Sequence, residues 1–360
     1  MALAHLAGEG RGGPWWRAAK ELGGAPALLA AGEERLRAAG LSERGARSLA
    51  RFSDWRRIEA QRDRCRRLGI SIFPISHPQY PRLLREIADP PLVLYARGDL
   101  SVCRATVVAV VGTRRPTRYG LRTASLLGRE LSAAGVVVAS GLARGIDAAV
   151  HHALVPGGRG VAVLAGGLDR VSPRSNRRLA ARLLEGGALL SEHPPGTAPL
   201  PGRFPVRNRI ITGLAAATVV VEAAERSGSL VSARHAVEQG REVLAVPGNI
   251  DSPASQGTNR LIRDGCAPML EIADVLAACN IPACAQTAAP AAATTVHATG
   301  EAARVAAELD REGRSVDALI EATGISGGRM LELLTELEIG GVAERLPGGL
   351  FALKDGVRLG

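Results

Sequence analysis

The chain has 360 residues, more than one hydrophobic core usually holds, so two or three domains are expected. Hydrophobic residues make up 46% of it, which excludes intrinsic disorder, and no run approaches the roughly 18 apolar residues of a membrane-spanning helix. Its formal net charge of +10, almost entirely from arginine, indicates a polyanionic partner, either a nucleic acid or an anionic membrane surface.

The start of the chain and the cysteines both indicate a soluble, cytoplasmic protein. The first residues lack the basic and apolar regions of a signal peptide. The five cysteines form no C-x-x-C pair and have no nearby histidine partners, so idle thiols in a reducing compartment fit better than a zinc site. No metal and no cofactor are expected.

Residues 1–70 read as a series of short helices, because apolar residues recur at three- and four-residue spacing between glycines. The last of these segments is crowded with arginine from Arg44 to Arg67. Two interpretations stay open for it: a solvated helix face, or an accessory surface for nucleic acid.

Residues 71–280 alternate between short apolar runs and helix-like segments. The runs that predict strands are 107–111, 136–139, 160–164, 188–190, 218–221 and 242–246. Short, nearly all-apolar strands of this kind are typical of a parallel sheet that is covered on both faces. The predicted fold is therefore α/β, a Rossmann-like, doubly wound and mainly parallel sheet, which binds ligands at the carboxyl ends of its strands.

The remainder divides into a linker and a small domain. Residues 281–299 are rich in Ala, Pro and Thr, which is typical of a linker. Residues 300–360 predict three helices and a hairpin, as in a winged-helix domain. Between residues 301 and 346, ten acidic residues outnumber five basic ones, a balance of −5. Such a surface repels phosphates, so we expect a protein-contact or regulatory role for this domain.

Two common nucleotide-binding motifs are missing. A P-loop needs a lysine after its glycines, and neither Lys20 nor Lys354 is so placed. The turn after the first parallel strand reads Gly112-Thr113-Arg114-Arg115, so an arginine stands where the second glycine of a dinucleotide fingerprint would be. A nicotinamide-dependent dehydrogenase is therefore not expected.

The turns that follow the predicted strands are rich in Gly, Ser and Arg instead. They read "GTRRPT", "SGLARG", "GGLDRVSPRSN", "FPVRNR" and "ERSGS". Main-chain amides at helix starts favour anions, and arginine adds charge and a bidentate fork for phosphate. Five such turns along one edge of a sheet predict a row of phosphate sites, suited to a polynucleotide strand rather than to a single nucleotide.

These motifs are similar, in order, to those of the DNA-processing protein A (DprA/Smf) family. The similarity covers roughly residues 71–272 and rests on "VVAVVGTRRPTRYG", "SGLARGIDAAVH", "FPVRNRIITGL" and "QGTNRLIRDG" among others. The helical start and the winged-helix end resemble that family's flanking domains, the first of them SAM-like.

The resemblance implies a protein that binds single-stranded DNA, usually as a homodimer, and helps to load a RecA-type recombinase during natural transformation. No catalytic residue is implied. It also implies that Arg114, Arg174 and Asn176 face the DNA. Ser172 stands where the family usually has a tyrosine, so a possible aromatic surface for a base is lost here.

Motif positions and strand-end turns together give one set of candidate residues for binding nucleic acid: Gly112, Arg114, Arg115, Gly141, Arg144, Arg174, Asn176, Arg207, Asn208, Arg209, Ser227 and Ser229. Because Arg207 and Arg209 are two apart on a predicted helix, at most one of them is expected to touch the ligand. Phe204, Ile210 and Ile211 are expected to anchor that helix in the core.

Two other functions stay open as alternatives. One is a nucleotide-processing enzyme related to phosphoribohydrolases, and the other is a protein scaffold with a vestigial pocket. Asp147 and His151 are four apart on a predicted helix and are expected to pair locally rather than to act as acid and base. Glu222 is expected to orient the Ser227–Ser229 turn.

Overall fold

The computed structural model describes residues 1–8, 11–281, 294–296, 300–310, 313–346, 348–354 and 357–359. Internal contacts divide the chain into two compact units, Met1–Ala285 and Gln286–Gly360. Most of the predicted linker lies outside the described residues, and a finer division at residue 70 stays a prediction. Within the part of the chain that is described, every helix is too short or too polar to cross a bilayer.

Nine strands of the described residues form the sheet of the first unit. They are β1 (Ser71–Pro74), β2 (Val93–Gly98), β3 (Val107–Val111), β4 (Val137–Ser140), β5 (Gly160–Leu164), β6 (Ala188–Ser191), β7 (Ala217–Val220), β8 (Glu242–Ala245) and β9 (Ala267–Pro268). Their order across the sheet is β1-β2-β6-β5-β4-β3-β7-β8-β9. All pairings from β6 to β9 are parallel, whereas β2 is antiparallel to both β1 and β6.

The predicted doubly wound sheet is confirmed. Each of the six predicted apolar runs forms a strand, and all five residues of β3 are buried because helices cover both faces. The chain runs from β3 outward through β4, β5 and β6, then returns to the other side of β3 for β7, β8 and β9. This reversal creates a switch point between β3 and β7, where such sheets bind ligands.

The strands β1, β2 and β9 are not among the predicted strands. Strand β1 has no buried residue, β2 ends in the exposed Arg97 and Gly98, and β9 has only two residues. Strands β1 and β9 lie at the two edges of the sheet, and such tertiary context is invisible to local propensity. Strand β2 lies inside the sheet, and its buried apolar run at residues 93–96 is a local signal that the prediction missed.

Helices form a layer on each face of the sheet. Those of the first unit are α1 (Ala2–Ala7), α2 (Gly12–Glu21), α3 (Ala25–Ala30), α4 (Glu33–Ala38), α5 (Glu43–Ala50), α6 (Trp55–Arg67), α7 (Arg82–Glu86), α8 (Arg118–Ala133), α9 (Ile146–His152), α10 (Arg177–Leu183), α11 (Arg203–Leu214), α12 (Ser229–Glu238), α13 (Gln256–Arg263) and α14 (Ile272–Ala278).

Alternate residues of strand β3 face opposite helix layers. Val107, Ala109 and Val111 face a core that contains α11, α12 and the early helices, including Leu36 of α4. The intervening residues of β3 face α8, α9 and α14. On that second side, Cys65 of α6 packs in one cluster with residues of α10, so α6 and α10 cover the same region of the sheet.

The second unit has the predicted three helices and hairpin. The helices are α15 (Gly300–Glu308), α16 (Val316–Thr323) and α17 (Gly327–Ile339), and the strands are β10 (Thr294–Val296), β11 (Arg314–Ser315), β12 (Ala343–Arg345), β13 (Leu350–Leu353) and β14 (Val357–Leu359). Strands β11, β13 and β12 form an antiparallel sheet against a core that includes Met330, Leu334 and Phe351. The predicted winged-helix architecture is confirmed.

Candidate nucleic-acid interface

A pocket of about 540 Å³ opens at the switch point between β3 and β7. Its walls are the turn after β3, the start of α11, and the turn from β7 into α12. Seven of the predicted residues line it: Gly112, Arg114, Arg115, Arg207, Asn208, Ser227 and Ser229. Predicted residues from three separate segments of the sequence thus meet in one place.

A second depression, of about 330 Å³, continues from the first. The two share Arg114, Arg115, Ala143 and Phe204 as lining residues. The second one adds a further three lining residues: Arg144, Ser172 and Pro173. Together they form one path along the carboxyl ends of the strands, which we call the strand-end groove.

An aromatic ring lies between the two parts of the groove. Phe204 is half-buried rather than anchored in the core as predicted, and its ring lines both depressions. The guanidinium of Arg114 lies 4.9 Å from the ring centroid and that of Arg207 lies 6.0 Å from it. Cation–π attraction therefore positions the exposed Arg114 over the ring. The groove has an aromatic surface even though Ser172 replaces the family's tyrosine.

Arg207 is buried at the base of the groove. Its Nη1 donates a hydrogen bond to the carbonyl of Gly141, at 2.8 Å, and another to the carbonyl of Val163. Gly141 is required here, because a β-carbon at that position would overlap the guanidinium. Burial lowers the pKa of Arg207 to about 10, an effect that the Asp147 carboxylate opposes. Arg207 therefore stays positive near neutral pH and contributes a fixed charge.

Asp147 organises the loop after β4. Its Oδ2 accepts hydrogen bonds from the amides of Gly141 and Ala143, at 3.1 and 3.3 Å. Burial raises its pKa, whereas Arg207 and these hydrogen bonds favour the ionised form. The two amides are thus already occupied, and the phosphate-binding capacity of this turn comes from the exposed Arg144.

The predicted pairing of Asp147 with His151 is wrong. His151 is fully buried, and neither of its ring nitrogens makes a hydrogen bond among the described residues. The loop after β4 turns back over the helix start, so its amides are nearer to the carboxylate than the histidine is. Burial lowers the pKa of His151 to about 3, so the ring is neutral.

The predicted partner of Glu222 is also wrong. This buried carboxylate accepts hydrogen bonds from the amide of Thr117, at 2.9 Å, and from its hydroxyl. Thr117 is the N-cap of α8, so Glu222 fixes the helix that follows the Arg114–Arg115 turn. The neighbouring strands β3 and β7 bring the two together, a contact that spacing along the sequence does not reveal.

The Ser227–Ser229 turn closes the other end of the groove. The two hydroxyls lie 2.8 Å apart in a hydrogen bond, and the Asn208 amide nitrogen contacts the carbonyl of Gly228 at 3.5 Å. Helix α12 begins at Ser229, so its positive N-terminal end points to the groove. The turn combines hydroxyl donors with a helix dipole, which suits a phosphate.

Besides Gly141, which lies beneath the groove against Arg207, three further predicted residues lie outside the groove lining. Arg209 is buried, with Nη2 at 2.7 Å from a Glu192 oxygen and Nε at 3.5 Å from an Asp89 oxygen. The buried Asn176 donates hydrogen bonds to the carbonyls of Leu142 and Ala143, at 3.0 and 3.2 Å. Arg174 is exposed beyond the end at Ser172. Arg209 and Asn176 therefore brace the scaffold, and Arg174 extends the basic surface.

The arrangement favours binding of an extended anion. The exposed Arg114, Arg115 and Arg144 line the same groove as Phe204, with Arg114 over its ring and the buried Arg207 at the base. The groove thus provides both phosphate contacts and a stacking surface. Phe204 was not predicted as a groove residue. The sequence feature that could have indicated it is its position three residues before Arg207, in the first turn of α11.

Fold and groove together define a doubly wound α/β protein with a basic switch-point groove and a C-terminal winged helix. The family model for the DNA recombination-mediator protein A matches residues 71–280, and the model for the DprA winged helix domain matches residues 287–349. The chain belongs to the DNA recombination-mediator protein A (DprA/Smf) family. The family predicted from the motifs is confirmed.

Relatives of comparable length support the assignment. The DNA processing protein DprA of Bacillus subtilis is 39% identical over 264 residues, which are 72% of this chain and 87% of that protein. The protein Smf of Escherichia coli is 39% identical over 291 residues, 79% of this chain and 77% of its own length.

Solved structures show the same fold. DNA processing protein A of Streptococcus pneumoniae superposes with a TM-score of 0.66 at 32% identity, covering 76% of this chain and 95% of its own. The Helicobacter pylori protein, whose structure is described for its single-stranded DNA binding mode, gives a TM-score of 0.53 at 29% identity, covering 58% of this chain and 94% of its own.

Proposed function

We propose that this protein binds single-stranded DNA in the strand-end groove and passes it to a RecA-type recombinase, as in natural transformation. The observation that carries the proposal is the meeting of Arg114, Arg115 and Arg144 around Phe204 above the buried charge of Arg207. The Helicobacter pylori relative, described as binding single-stranded DNA, supports it.

The groove favours unpaired DNA over duplex. A single strand exposes its base faces, and stacking of a base on an aromatic ring contributes about 1–3 kcal/mol. In duplex DNA the bases are stacked on each other, so the face of Phe204 has no partner there. Phosphate contacts alone attract both forms, and the ring supplies the difference.

We assign three roles within the groove. Arg114, Arg115 and Arg144 contact phosphates, and Arg174 continues this path outside. Arg207 supplies a fixed charge, and the Ser227–Ser229 turn with Asn208 holds a phosphate at the start of α12. Gly112 and Gly141 allow the close packing beneath. Arg209 and Asn176 hold the supporting elements in place and act on DNA only indirectly.

The proposal includes four further expectations. From the resemblance, the protein works as a homodimer, contacts the recombinase directly and catalyses no reaction. From the start of the chain and the cysteines, it does so in the cytoplasm. An enzyme that hydrolyses nucleotides is the alternative. An assay of the purified protein for nucleotide hydrolysis tests it, and turnover that Arg114→Glu abolishes would favour the enzyme.

The central experiment is a titration of labelled single-stranded and duplex oligonucleotides at several salt concentrations. For a single strand, the logarithm of the binding constant should fall with the logarithm of salt by about 0.7 per phosphate neutralised. We expect Arg114→Glu to weaken binding and to flatten this dependence, because it removes a phosphate contact and the cation over Phe204.

A matched control is Arg35→Glu, which makes the same charge change at an exposed site on α4, packed on the opposite face of the sheet from α6 and α10. It should leave single-strand binding nearly unchanged. Equal binding by the wild type, Arg114→Glu and Arg35→Glu would refute the proposed site. Equal affinity for single-stranded and duplex DNA would refute the role of Phe204.

A further inference from the structure

The arginine-rich segment from Arg44 to Arg67, which the sequence left open between two interpretations, covers most of helix α5 and all of helix α6. Residues 51–67 include seven arginines and three carboxylates, a net charge of +4. All seven arginines are exposed, whereas Cys65 is buried. Helix α6 is therefore a basic helix mounted on the sheet by a narrow apolar face.

A second basic segment lies beside it. Residues 169–182 include five arginines and one carboxylate, again a net charge of +4. This segment contains α10, whose residues Leu179 and Leu183 pack in the same cluster as Cys65 of α6. The two segments span only 31 residues and hold +8 of the chain's formal net charge of +10.

A direct contact joins the two segments. Arg64 of α6 lies 3.0 Å from an oxygen of Asp169, in the loop that follows β5, and Asp169 also accepts a hydrogen bond from the amide of Gly196. Arg57 lies seven positions before Arg64, about two helical turns, and so shares its side of the helix. Arg57 makes no ion pair among the described residues.

Helix geometry likewise fixes which side of α10 each of its arginines occupies. Arg182 donates to the carbonyls of His151 and His152 and so lies on the side of α10 that faces α9. Arg177, five positions earlier, lies about 140° around the helix from it. It is exposed and makes no ion pair within the described ranges. Arg57 on α6 and Arg177 on α10 are thus cations without an ion-pair partner among the described residues, on the two segments that the Arg64–Asp169 contact joins.

We infer that this α6–α10 surface (Arg57, Arg64, Arg170, Arg174 and Arg177) binds the backbone of the same single strand where it leaves the strand-end groove. The loop from Asp169 reaches the groove end at Ser172 and Pro173, so the two surfaces are continuous. The inference rests on the proposed function. The positive charge of the α6–α10 surface complements a polyanion, and contacts to the DNA backbone alone need no aromatic ring.

The test is a length series of oligothymidylates, from about 4 to about 16 nucleotides, the range of site sizes known for single-strand-binding folds. The full-length wild type is compared with Arg57→Ala/Arg177→Ala. Because both residues lie outside the groove, the shortest strand should bind the two proteins equally. Each lost phosphate contact corresponds to about fourfold in affinity at about 0.15 M salt, so the longest strand should bind the variant about tenfold or more weakly.

The matched control is Arg35→Ala/Arg37→Ala, which removes two exposed arginines from α4, packed on the other side of the sheet. It should bind all lengths as the wild type does. If the Arg57→Ala/Arg177→Ala variant binds the longest strand as tightly as this control, the α6–α10 surface is a solvated face and the inference is overturned.

The salt dependence gives an independent reading. The slope for the longest strand should be smaller in the variant by about 0.7 for each contact removed, while that for the shortest strand is unchanged. Loss at every length would mean that the variant damages the groove, which also overturns the inference. Failure of the wild type to bind any strand would overturn the proposed function itself, an outcome distinct from both.

Discussion

At the scale of single residues, the arginines of this protein fall into two groups. Arg207 and Arg209 are buried and bonded to main-chain carbonyls or carboxylates. Arg114, Arg115 and Arg144 are exposed at turns. Sequence reasoning placed all five at the strand ends, because the motif positions are clear. Helical spacing limited Arg207 and Arg209 to one ligand contact between them, but it did not show that both are buried, since that depends on which carbonyls and carboxylates the fold brings close.

Gly141 tests the support of Arg207. Gly141→Ala places a methyl group against the buried guanidinium, and overpacking of this kind costs about 1–3 kcal/mol. We expect the urea-unfolding midpoint to fall accordingly, with weaker single-strand binding by the folded protein. Gly186→Ala is the control, because its nearest neighbour beyond the adjoining residues is 3.9 Å away. Equal stability of the two variants would contradict the packing described here.

His151 makes stability depend on pH. Its pKa is lowered to about 3 in the folded protein, so the unfolded chain binds its proton more readily. The stabilisation is present above the unfolded pKa of about 6.5 and is lost as pH falls towards 3. We expect the free energy of unfolding to decrease by about 1 kcal/mol per pH unit in that window.

Replacement by leucine isolates this effect. In His151→Leu, the difference in unfolding free energy between pH 7 and pH 5 should be smaller than in the wild type by about 1–2 kcal/mol. The exposed His5→Leu is the matched control and should retain the wild-type difference. An unchanged pH dependence in His151→Leu would show that another group is responsible.

At the scale of elements, the sequence predicted six of the seven parallel strands and the winged helix, but neither the short β9 nor the antiparallel strands β1 and β2. Apolar runs and glycine turns are local signals, and they indicate β3 to β8. Contacts across the sheet are different. Glu222 was expected to hold its own following turn, yet it holds Thr117, more than a hundred residues earlier in the chain. Parallel pairing of β3 with β7 decides this, and no local pattern encodes it.

The Glu222–Thr117 contact predicts a coupling. Glu222→Gln leaves a buried site with one acceptor oxygen fewer, which should lower the free energy of unfolding by about 1–3 kcal/mol. In a double-mutant cycle with Thr117→Val, the two losses should not add, because both disrupt the hydrogen bond from the Thr117 hydroxyl to the Glu222 carboxylate. Urea unfolding of the four proteins measures the coupling, and simple additivity would disprove it.

At the scale of the whole molecule, charge is divided between the two units. The winged-helix domain carries −5 between residues 301 and 346, although the chain as a whole carries +10. The first unit therefore concentrates the positive charge, and long-range attraction of DNA belongs to it. This division was evident from the sequence, because net charge needs no knowledge of the fold.

Truncation after Ala285 tests the division. The first unit is compact by its own contacts, so we expect residues 1–285 to fold and to bind single-stranded DNA within about twofold of the full chain, with a similar salt slope. The comparison is made by titration at matched salt concentrations. A large loss of affinity on truncation would show that the winged helix contacts DNA after all.

The contacts that hold helix α11 in place have a consequence for how the sequence of such a protein can evolve. Arg209 ties the helix to Glu192 and Asp89, and Arg207 ties it to the strands beneath, so neither cation is free to vary without damage to folding. Arg114, Arg115 and Arg144 are exposed at turns and do not hold a helix to the sheet in this way. Natural selection, or a protein engineer, can therefore change the affinity for a polynucleotide by substitutions at the turns, without altering the fold.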